Sequence, residues 1–211
     1  MSLYRQTVSE FTATRLSIYL RALASLETEK IRHVSSEAFG RRFDLSPAQI
    51  RKDLATFGEF GVRGVGYEVS ELKKHLISIL GLGQTRRIAI VGAGRQGQAL
   101  ADSPGFSSAG FAVAALFDND PRKIGTQTRA GVPVHDVERL SEIVRRGSIA
   151  IAVLTVPASA AREVARRCVE ARVKGILNFA PVRLHAPPGV RLKNVDLKIP
   201  LETLSFYIQK P

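Results

Sequence analysis

The sequence has one cysteine, few acidic residues and no long apolar run, and each shortage excludes something. Cys168 has no second thiol to pair with, so no intrachain disulfide framework exists. No apolar segment with a small-residue cleavage site opens the chain, which together with the lone cysteine predicts a cytoplasmic protein. The longest apolar run, residues 149–156, ends at Pro157, far short of the ~20 residues of a membrane-spanning helix, and excludes a membrane protein of that kind. Only 19 Asp+Glu stand against 31 Lys+Arg, a formal net charge of +12 that points to a polyanionic partner such as nucleic acid. The surplus is unevenly spread: residues 1–85 carry 12 Lys+Arg and 9 Asp+Glu, a net of +3, and residues 86–211 carry 19 and 10, a net of +9. Arg162, Arg166, Arg167, Arg172 and Lys174 crowd one helix and its end as a solvated face. With 211 residues, 45% of them hydrophobic, the chain can bury the core of one large domain or two modest ones.

Residues 1–83 read as a helix-rich module. Leu16, Tyr19, Leu20, Leu23 and Leu26 recur every three or four positions, the spacing of an amphipathic helix over about residues 14–29. Ser35 or Ser36 can cap a short second helix carrying Ala38, Phe39 and Phe43. After a turn, Ser46-Pro47-Ala48-Gln49 combines an N-cap serine, a proline at the first helical position and a glutamine at the third. That helix runs to about Phe57, with Gly58 as its left-handed stop. Glycines 58, 61, 64 and 66 then permit a tight hairpin flanked by Val62, Val65, Tyr67 and Val69. Short helix, turn, capped helix and hairpin make a winged helix-turn-helix, whose second helix enters the DNA major groove. Ser46 at its start and Gln49, Arg51, Lys52 and Thr56 along its polar face carry donors and acceptors for base edges and phosphates. Arg63 at the hairpin tip can reach a minor groove or a phosphate. A solvated helix face and an exposed loop arginine would look the same.

A helical stretch over residues 70–80 and a hinge over 81–85 lead into a different pattern. Apolar runs of strand length at residues 88–91, 111–117, 132–134, 149–156 and 173–177 alternate with helical segments, which predicts an α/β domain with a Rossmann-type, doubly wound parallel sheet over 84–198. A last amphipathic helix, near residues 200–209, belongs to a C-terminal part over 199–211. The first strand runs into Gly92-Ala93-Gly94-Arg95-Gln96-Gly97. In such a turn the first glycine makes the bend, the second lets a pyrophosphate approach the backbone, and the third lets the helix pack on the strand. The helix N-terminus then offers N–H groups and positive partial charge to phosphates. The second strand ends in Asp118, 24 residues after Gly94, where a carboxylate can accept both hydroxyls of an adenosine ribose and repel a 2′-phosphate, favouring NAD(H) over NADP(H). Thr155-Val156-Pro157 and Asn178-Phe179-Ala180-Pro181 end later strands at the same carboxyl edge. Either segment also suits an ordinary strand-to-helix turn, and the glycine turn suits a packing role or a domain that binds coenzyme A or a mononucleotide.

Nothing in the sequence supplies the chemistry of a dehydrogenase. Only 34 residues follow the last expected strand, which ends at 177, too few for a substrate domain. His33, His75, His135 and His185 have no neighbouring catalytic partner, and none of Tyr4, Tyr19, Tyr67 and Tyr207 is followed four residues later by lysine. No His/Cys/Asp cluster has metal-ligand spacing, and Cys168 falls on an apolar stripe with Ala161, Val164, Ala165 and Val169. The expectation is a regulator, not an enzyme, that binds a dinucleotide without consuming it and holds no metal. Two alternatives stand beside it: an NAD-dependent oxidoreductase with an appended helical module, and a coenzyme A- or nucleotide-binding regulator without DNA affinity.

The run SSEAFGRRFDLSPAQIRKDLATFGEFGVRGVGYEV, followed in order by ILGL, IAIVGAGRQGQALADSPGF, FDNDPRKIG, LTVP, GILNFAP and NVD, resembles the Rex family of bacterial redox-sensing transcriptional repressors over roughly Thr14 to Ile208. The resemblance implies a homodimer in which each chain has a winged helix, a Rossmann domain that binds NADH or NAD⁺, and a C-terminal helix exchanged between subunits. It implies a repressor that holds a palindromic operator DNA when NADH is scarce and leaves it when NADH binds. Arg51 and Lys52 match the family's recognition-helix positions and Arg63 its wing position, while the glycine turn with Arg95, then Asp118, Thr155 to Pro157 and Asn178 to Pro181, match the places where it holds its cofactor. The resemblance also implies an interface network of Arg21 in the first helix, Asp196 near the C-terminal helix and a tyrosine in the loop after the glycine-turn helix. Ser103 stands where that tyrosine is common, which implies a redox response unlike that of relatives bearing the tyrosine.

Overall fold

The computed structural model describes residues 8–209, so residues 1–7 and 210–211, Tyr4 among them, lie outside the described residues. The chain divides after Gln84 into two compact units.

In the first unit the order is α1 (Glu10–Thr28), β1 (His33–Val34), α2 (Ser36–Phe43), α3 (Pro47–Ala55), β2 (Gly61–Val62), β3 (Gly66–Glu68) and α4 (Val69–Leu80). Helix α1 starts earlier than its apolar repeat predicts, because the Ser9 hydroxyl accepts the Thr12 N–H at 3.1 Å and satisfies an end donor of the first turn. Leu16, Tyr19, Leu23 and Leu26 of α1 meet Phe39, Ile50, Leu54, Leu72 and Leu76 in one core. Asp44, in the left-handed conformation at φ 54°, ends α2. The turn after it lies hard against that helix: a Cβ on Gly40 would sit 2.5 Å from the Leu45 carbonyl oxygen and 2.8 Å from Pro47 Cγ. Ser46 caps α3, its hydroxyl accepting the Gln49 N–H at 3.3 Å.

Helix α3 stops at Ala55, two residues short of the expected Phe57, since the Thr56 and Phe57 N–H groups turn back to the carbonyls of Asp53 and Leu54. Gly58, at φ 145°, redirects the chain after that tightened turn and is not a left-handed cap. The hairpin is shorter than the valine pattern suggests. Val65 lies in the turn and is exposed, and the buried Val69 opens α4, while β3 pairs antiparallel with both β2 and β1.

The second unit contains β4 (Arg86–Val91), α5 (Arg95–Asp102), α6 (Pro104–Ser108), β5 (Phe111–Asp118), β6 (Val134–Asp136), α7 (Leu140–Arg146), β7 (Ile151–Leu154), α8 (Ala158–Glu170), β8 (Gly175–Asn178), β9 (Arg191–Asn194) and α9 (Lys198–Ile208). Its six strands run parallel in the order β6-β5-β4-β7-β8-β9. The chain enters at β4, winds outward through β5 and β6, then returns to β7 and winds the other way. The order therefore reverses between β4 and β7, the place where doubly wound sheets open a crevice for ligands. Alternation along β4 separates two cores: Ala89 and Val91 face the one shared with α7 and α8, Ile88 and Ile90 the one shared with α5. Strand β9 has no apolar run to announce it, because as an edge strand it exposes Arg191 and Lys193.

Cys168 packs in the α7/α8 core with no exposed surface, and burial pushes its thiol up to about 12. At pH 8 the native protein is expected to react with a thiol reagent more than about a hundredfold more slowly than the denatured chain. Equal rates would show that this helix face is not packed.

Candidate functional site

The glycine turn is built by contacts that leave no room for side chains on one side and open space on the other. Gly92, at φ 107°, takes a backbone conformation that favours glycine, and a Cβ there would lie 2.6 Å from the Thr155 carbonyl oxygen. On Gly97 a Cβ would fall 1.9 Å from the Gly92 carbonyl oxygen, so α5 approaches β4 as closely as its backbone allows. Gly94 differs: a Cβ there meets nothing within 4 Å. It is the N-cap of α5, and no side chain caps that helix. Backbone N–H groups of α5 thus point into an open cradle at the crevice, the arrangement a pyrophosphate requires. Ala93 is buried beneath the turn, while Arg95 and Gln96 stand exposed on its helix side.

Asp118, at the end of β5, accepts the Ala93 N–H at 2.8 Å, the Asp120 N–H at 2.9 Å and the Lys123 ammonium at 3.0 Å. Burial alone would raise its pKa, but these donors, the Asp120 N–H first, together hold it below the ordinary carboxylate value, so it is ionised at neutral pH. Three of its roughly four lone-pair directions are taken, which leaves about one, on Oδ1, for a ribose hydroxyl where the sequence suggested two. The cations that could invite a 2′-phosphate are already paired, Lys123 with Asp118 and Arg122 with Asp120 at 3.0 Å.

The two later segments reach the same sheet edge with different tasks. The Thr155 hydroxyl donates to the Gly92 carbonyl at 2.8 Å, fastening the end of β7 to the glycine turn. Val156 is half-buried, and the exposed Pro157 precedes α8, a second helix whose N-terminus no side chain caps. Asn178 is buried and engaged through both amide atoms: Nδ2 donates to the Val182 carbonyl and to Asn194 Oδ1, both at 2.8 Å, and Oδ1 accepts the Ala180 N–H at 3.0 Å. Its side chain shapes the turn and has no N–H left to donate to a ligand, with one lone pair of the buried Oδ1 unused. Phe179 is half-buried against the core that contains Ala93, Ala180 is buried, and Pro181 is exposed.

In the first unit, α3 buries Ile50 and Leu54 and exposes Arg51, Lys52 and Thr56, with Ser46 exposed at its start and Arg63 exposed in the hairpin turn. A groove of about 570 Å³ runs between α3 and the hairpin. Arg51 spans part of it, donating to Ser36 Oγ at 2.7 Å and Glu37 Oε1 at 2.6 Å. The Thr56 hydroxyl turns back onto the Lys52 carbonyl. Gln49 is half-buried and donates to Asp53. Asp53, between the exposed Lys52 and the buried Leu54, is itself buried and held by Arg15 and Tyr19 of α1. The available signal was an acid four residues after Gln49, opposite an arginine and a tyrosine that are themselves four apart.

Of the three expected switch residues, Arg21 is exposed on α1, in the first unit. Ser103 and Asp196 are exposed in the second unit, where Ser103 caps α6 by accepting the Gly105 N–H at 3.3 Å and Asp196 accepts the Lys198 N–H at 3.0 Å. Among the described residues no group of three His, Cys, Asp or Glu could hold a metal ion, and no helix is long and apolar enough to cross a membrane.

Residues 83–182 match a family described as "CoA binding domain", and residues 7–55 one described as "Putative DNA-binding protein N-terminus". The chain is 46% identical to the redox-sensing transcriptional repressor Rex of Desulfitobacterium hafniense over 95% of each chain. It is 47% identical to Rex of Thermus thermophilus over 97% of this chain and 95% of that one. Among solved structures, RSP in complex with β-NAD⁺ and operator DNA superposes with a TM-score of 0.90 at 39% identity, covering 95% of this chain and 92% of that one. RSP, described as a Rex-family repressor, also superposes as its complex with β-NADH, with a TM-score of 0.87 at 37% identity over 96% and 94%. Near-complete coverage at such identity, with a winged helix followed by a doubly wound sheet, shows that this chain belongs to the Rex family of redox-sensing transcriptional repressors.

Proposed function

We propose that this protein is a DNA-binding transcriptional repressor that senses NADH against NAD⁺, holding a palindromic operator when NADH is scarce and releasing it when NADH binds. The observation that carries this is the pairing, in one chain of a repressor family, of an exposed cationic recognition face with a phosphate cradle left open at Gly94. Residues 1–83 act as the DNA-binding part, 84–198 as the NAD(H)-binding part and 199–211 as the dimerisation element. Arg51 and Lys52, with Ser46, Gln49 and Thr56, meet the major groove, and Arg63 meets a minor groove or phosphate. The turn from Gly92 to Gly97, Asp118, and the segments at Thr155 to Pro157 and Asn178 to Pro181 hold or shape the place of the dinucleotide. Its chemistry when bound is hydride exchange, but the dinucleotide serves here as the signal, in a cytoplasmic regulator and not an enzyme.

Dimerisation follows from α9. Leu197, Leu201, Leu204, Phe206, Tyr207 and Ile208 are each at least 59% exposed, and no residue of this 11-residue helix is buried. A helix so short is marginal alone in water, and its apolar surface calls for a partner. A second copy of the chain supplies one and matches the two-fold symmetry of a palindrome.

A ligand shifts an equilibrium only by its differential affinity for two states. NADH and NAD⁺ share the adenosine and pyrophosphate, so contacts at Gly92 to Gly97 and Asp118 contribute alike to both. Discrimination arises at the nicotinamide, neutral when reduced and positively charged when oxidised, beside apolar groups such as Phe179. A difference of 2 kcal/mol corresponds to ~30-fold.

Fluorescence anisotropy of a palindromic duplex should show tight binding without NADH and release as NADH is added. Arg51→Ala/Lys52→Ala should abolish retention, and each lost phosphate contact should reduce the salt slope by about one. Failure of the wild type to prefer a palindrome over random duplex, with turnover of a carbonyl substrate, would favour the oxidoreductase. The two glycines separate binding from folding: Gly94→Ala is expected to keep the melting temperature and weaken NADH binding more than about tenfold, since a methyl enters the phosphate cradle. Gly97→Ala is expected to destabilise the second unit by about 1–3 kcal/mol, because its Cβ meets backbone. Finally, Ser103→Tyr should shift the NADH/NAD⁺ ratio at which the operator is released, and superimposable release curves would refute a role for that position.

A further inference from the structure

Asp53 is a carboxylate whose side chain is 4% exposed in the last turn of the recognition helix, a costly place for a charge. Four donors surround it: Arg15 Nε at 2.5 Å and Tyr19 Oη at 2.9 Å on Oδ2, and Arg15 Nη2 and Gln49 Nε2, both at 2.8 Å, on Oδ1. All its lone-pair directions are used, and every partner can only donate to it. Burial would raise its pKa, but the bidentate Arg15 with Gln49 and Tyr19 holds it below the ordinary value, and burial first and the Asp53 contact second push the Tyr19 hydroxyl up. Helix docking alone needs no such group, since Ile50 and Leu54 already bury α3 against the core.

What the carboxylate adds is direction. An ionised acceptor fixes which end of the Gln49 amide faces it: the nitrogen lies against Asp53, and the carbonyl oxygen and the second N–H are left out of that contact. Those two groups are the pair with which glutamine reads adenine N6 and N7. Gln49 in isolation has several rotamers and no preferred amide orientation. In the same contact Arg15 and Tyr19, one turn apart on α1, tie Asp53 to the body of the unit.

We propose that Asp53 is a positioning residue for base recognition: without touching DNA, it aims the Gln49 amide at one base pair. The proposal rests on the DNA-binding function above. Its test is an anisotropy scan of wild type, Gln49→Ala, Asp53→Asn and Tyr19→Phe in the full chain, against a palindromic duplex and every symmetric single-base-pair substitution of it.

Gln49→Ala should lose roughly tenfold discrimination at one base pair of the half-site. Asp53→Asn should lose it at that same pair, because an asparagine cannot accept from all four donors, while discrimination elsewhere and NADH affinity persist. Tyr19→Phe, which keeps the ring packed 6.0 Å from Phe39 and removes one donor, should lose a few-fold there, and decides the matter alone where Asp53→Asn does not fold. An even loss across all base pairs, as helix destabilisation would produce, or an unchanged profile in the folded variants overturns the proposal. Absence of any palindrome preference in the wild type overturns the function on which it rests.

Discussion

The second unit depends on one close approach, that of α5 to the end of β4. The Gly97 backbone comes so near the Gly92 carbonyl that a single added carbon would sit 1.9 Å away. This approach brings the uncapped N-terminus of α5 to the sheet edge where the strand order reverses. Thr155 tightens the same spot from the neighbouring strand by donating to the Gly92 carbonyl, and Asp118 does so from the other side through the Ala93 N–H. Three strands thus converge on one turn with backbone hydrogen bonds. Nothing in the arrangement depends on the identity of Arg95 or Gln96, which leaves those exposed positions free to meet a ligand.

The two units solve opposite electrostatic problems. The proposed dinucleotide cradle offers partial charges fixed in backbone amides and keeps the two cations beside its aspartates occupied, Lys123 by Asp118 and Arg122 by Asp120, while Arg95 in the turn itself stands exposed. The DNA face offers full positive charge, and it restrains that charge. Arg51 rests on Ser36 and Glu37, so its guanidinium is ordered before it meets a base or phosphate, at the cost of exchanging one anion for another.

Much of this was legible in the sequence, and the misses share a cause. Ser46-Pro47-Ala48-Gln49 and Gly92 to Gly97 are local signals, where a cap or a steric clash decides conformation within a few residues, and both elements stand where those signals predict. Strand β9 was invisible because an edge strand needs no apolar run. The wing valines misled because Val65 has the composition of a strand and the position of a turn. At the sites, spacing indicated which segments converge but not how many hydrogen bonds each group had left: Asn178 has no donor left, Asp118 about one acceptor direction, and Gln49 is half committed. Such accounting depends on partners that are distant in sequence, as Asn194 is for Asn178 and Arg15 for Asp53.

The charge surplus takes a different meaning once its partners are known. In the second unit, where most of it lies, Arg166 pairs with Glu163 and Glu170, Arg167 with Glu163 and Glu138, and Arg139 and Arg146 share Glu142. Two guanidiniums hold the exposed Glu163 down to about 2. These are surface pairs on α7, α8 and the segment before α7, each worth little in stability; their four arginines and four glutamates cancel in the net count, so the surplus itself lies on other cations. Long-range attraction to a polyanion follows the net charge, whereas specific contact follows the cations with short reach and open surface. Lys52 and Arg63 qualify on exposure, and Arg51 qualifies once Glu37 lets go. A first unit with a net charge of only +3 is therefore no obstacle to tight DNA binding, because recognition depends on where a few side chains are held and not on how many the chain contains.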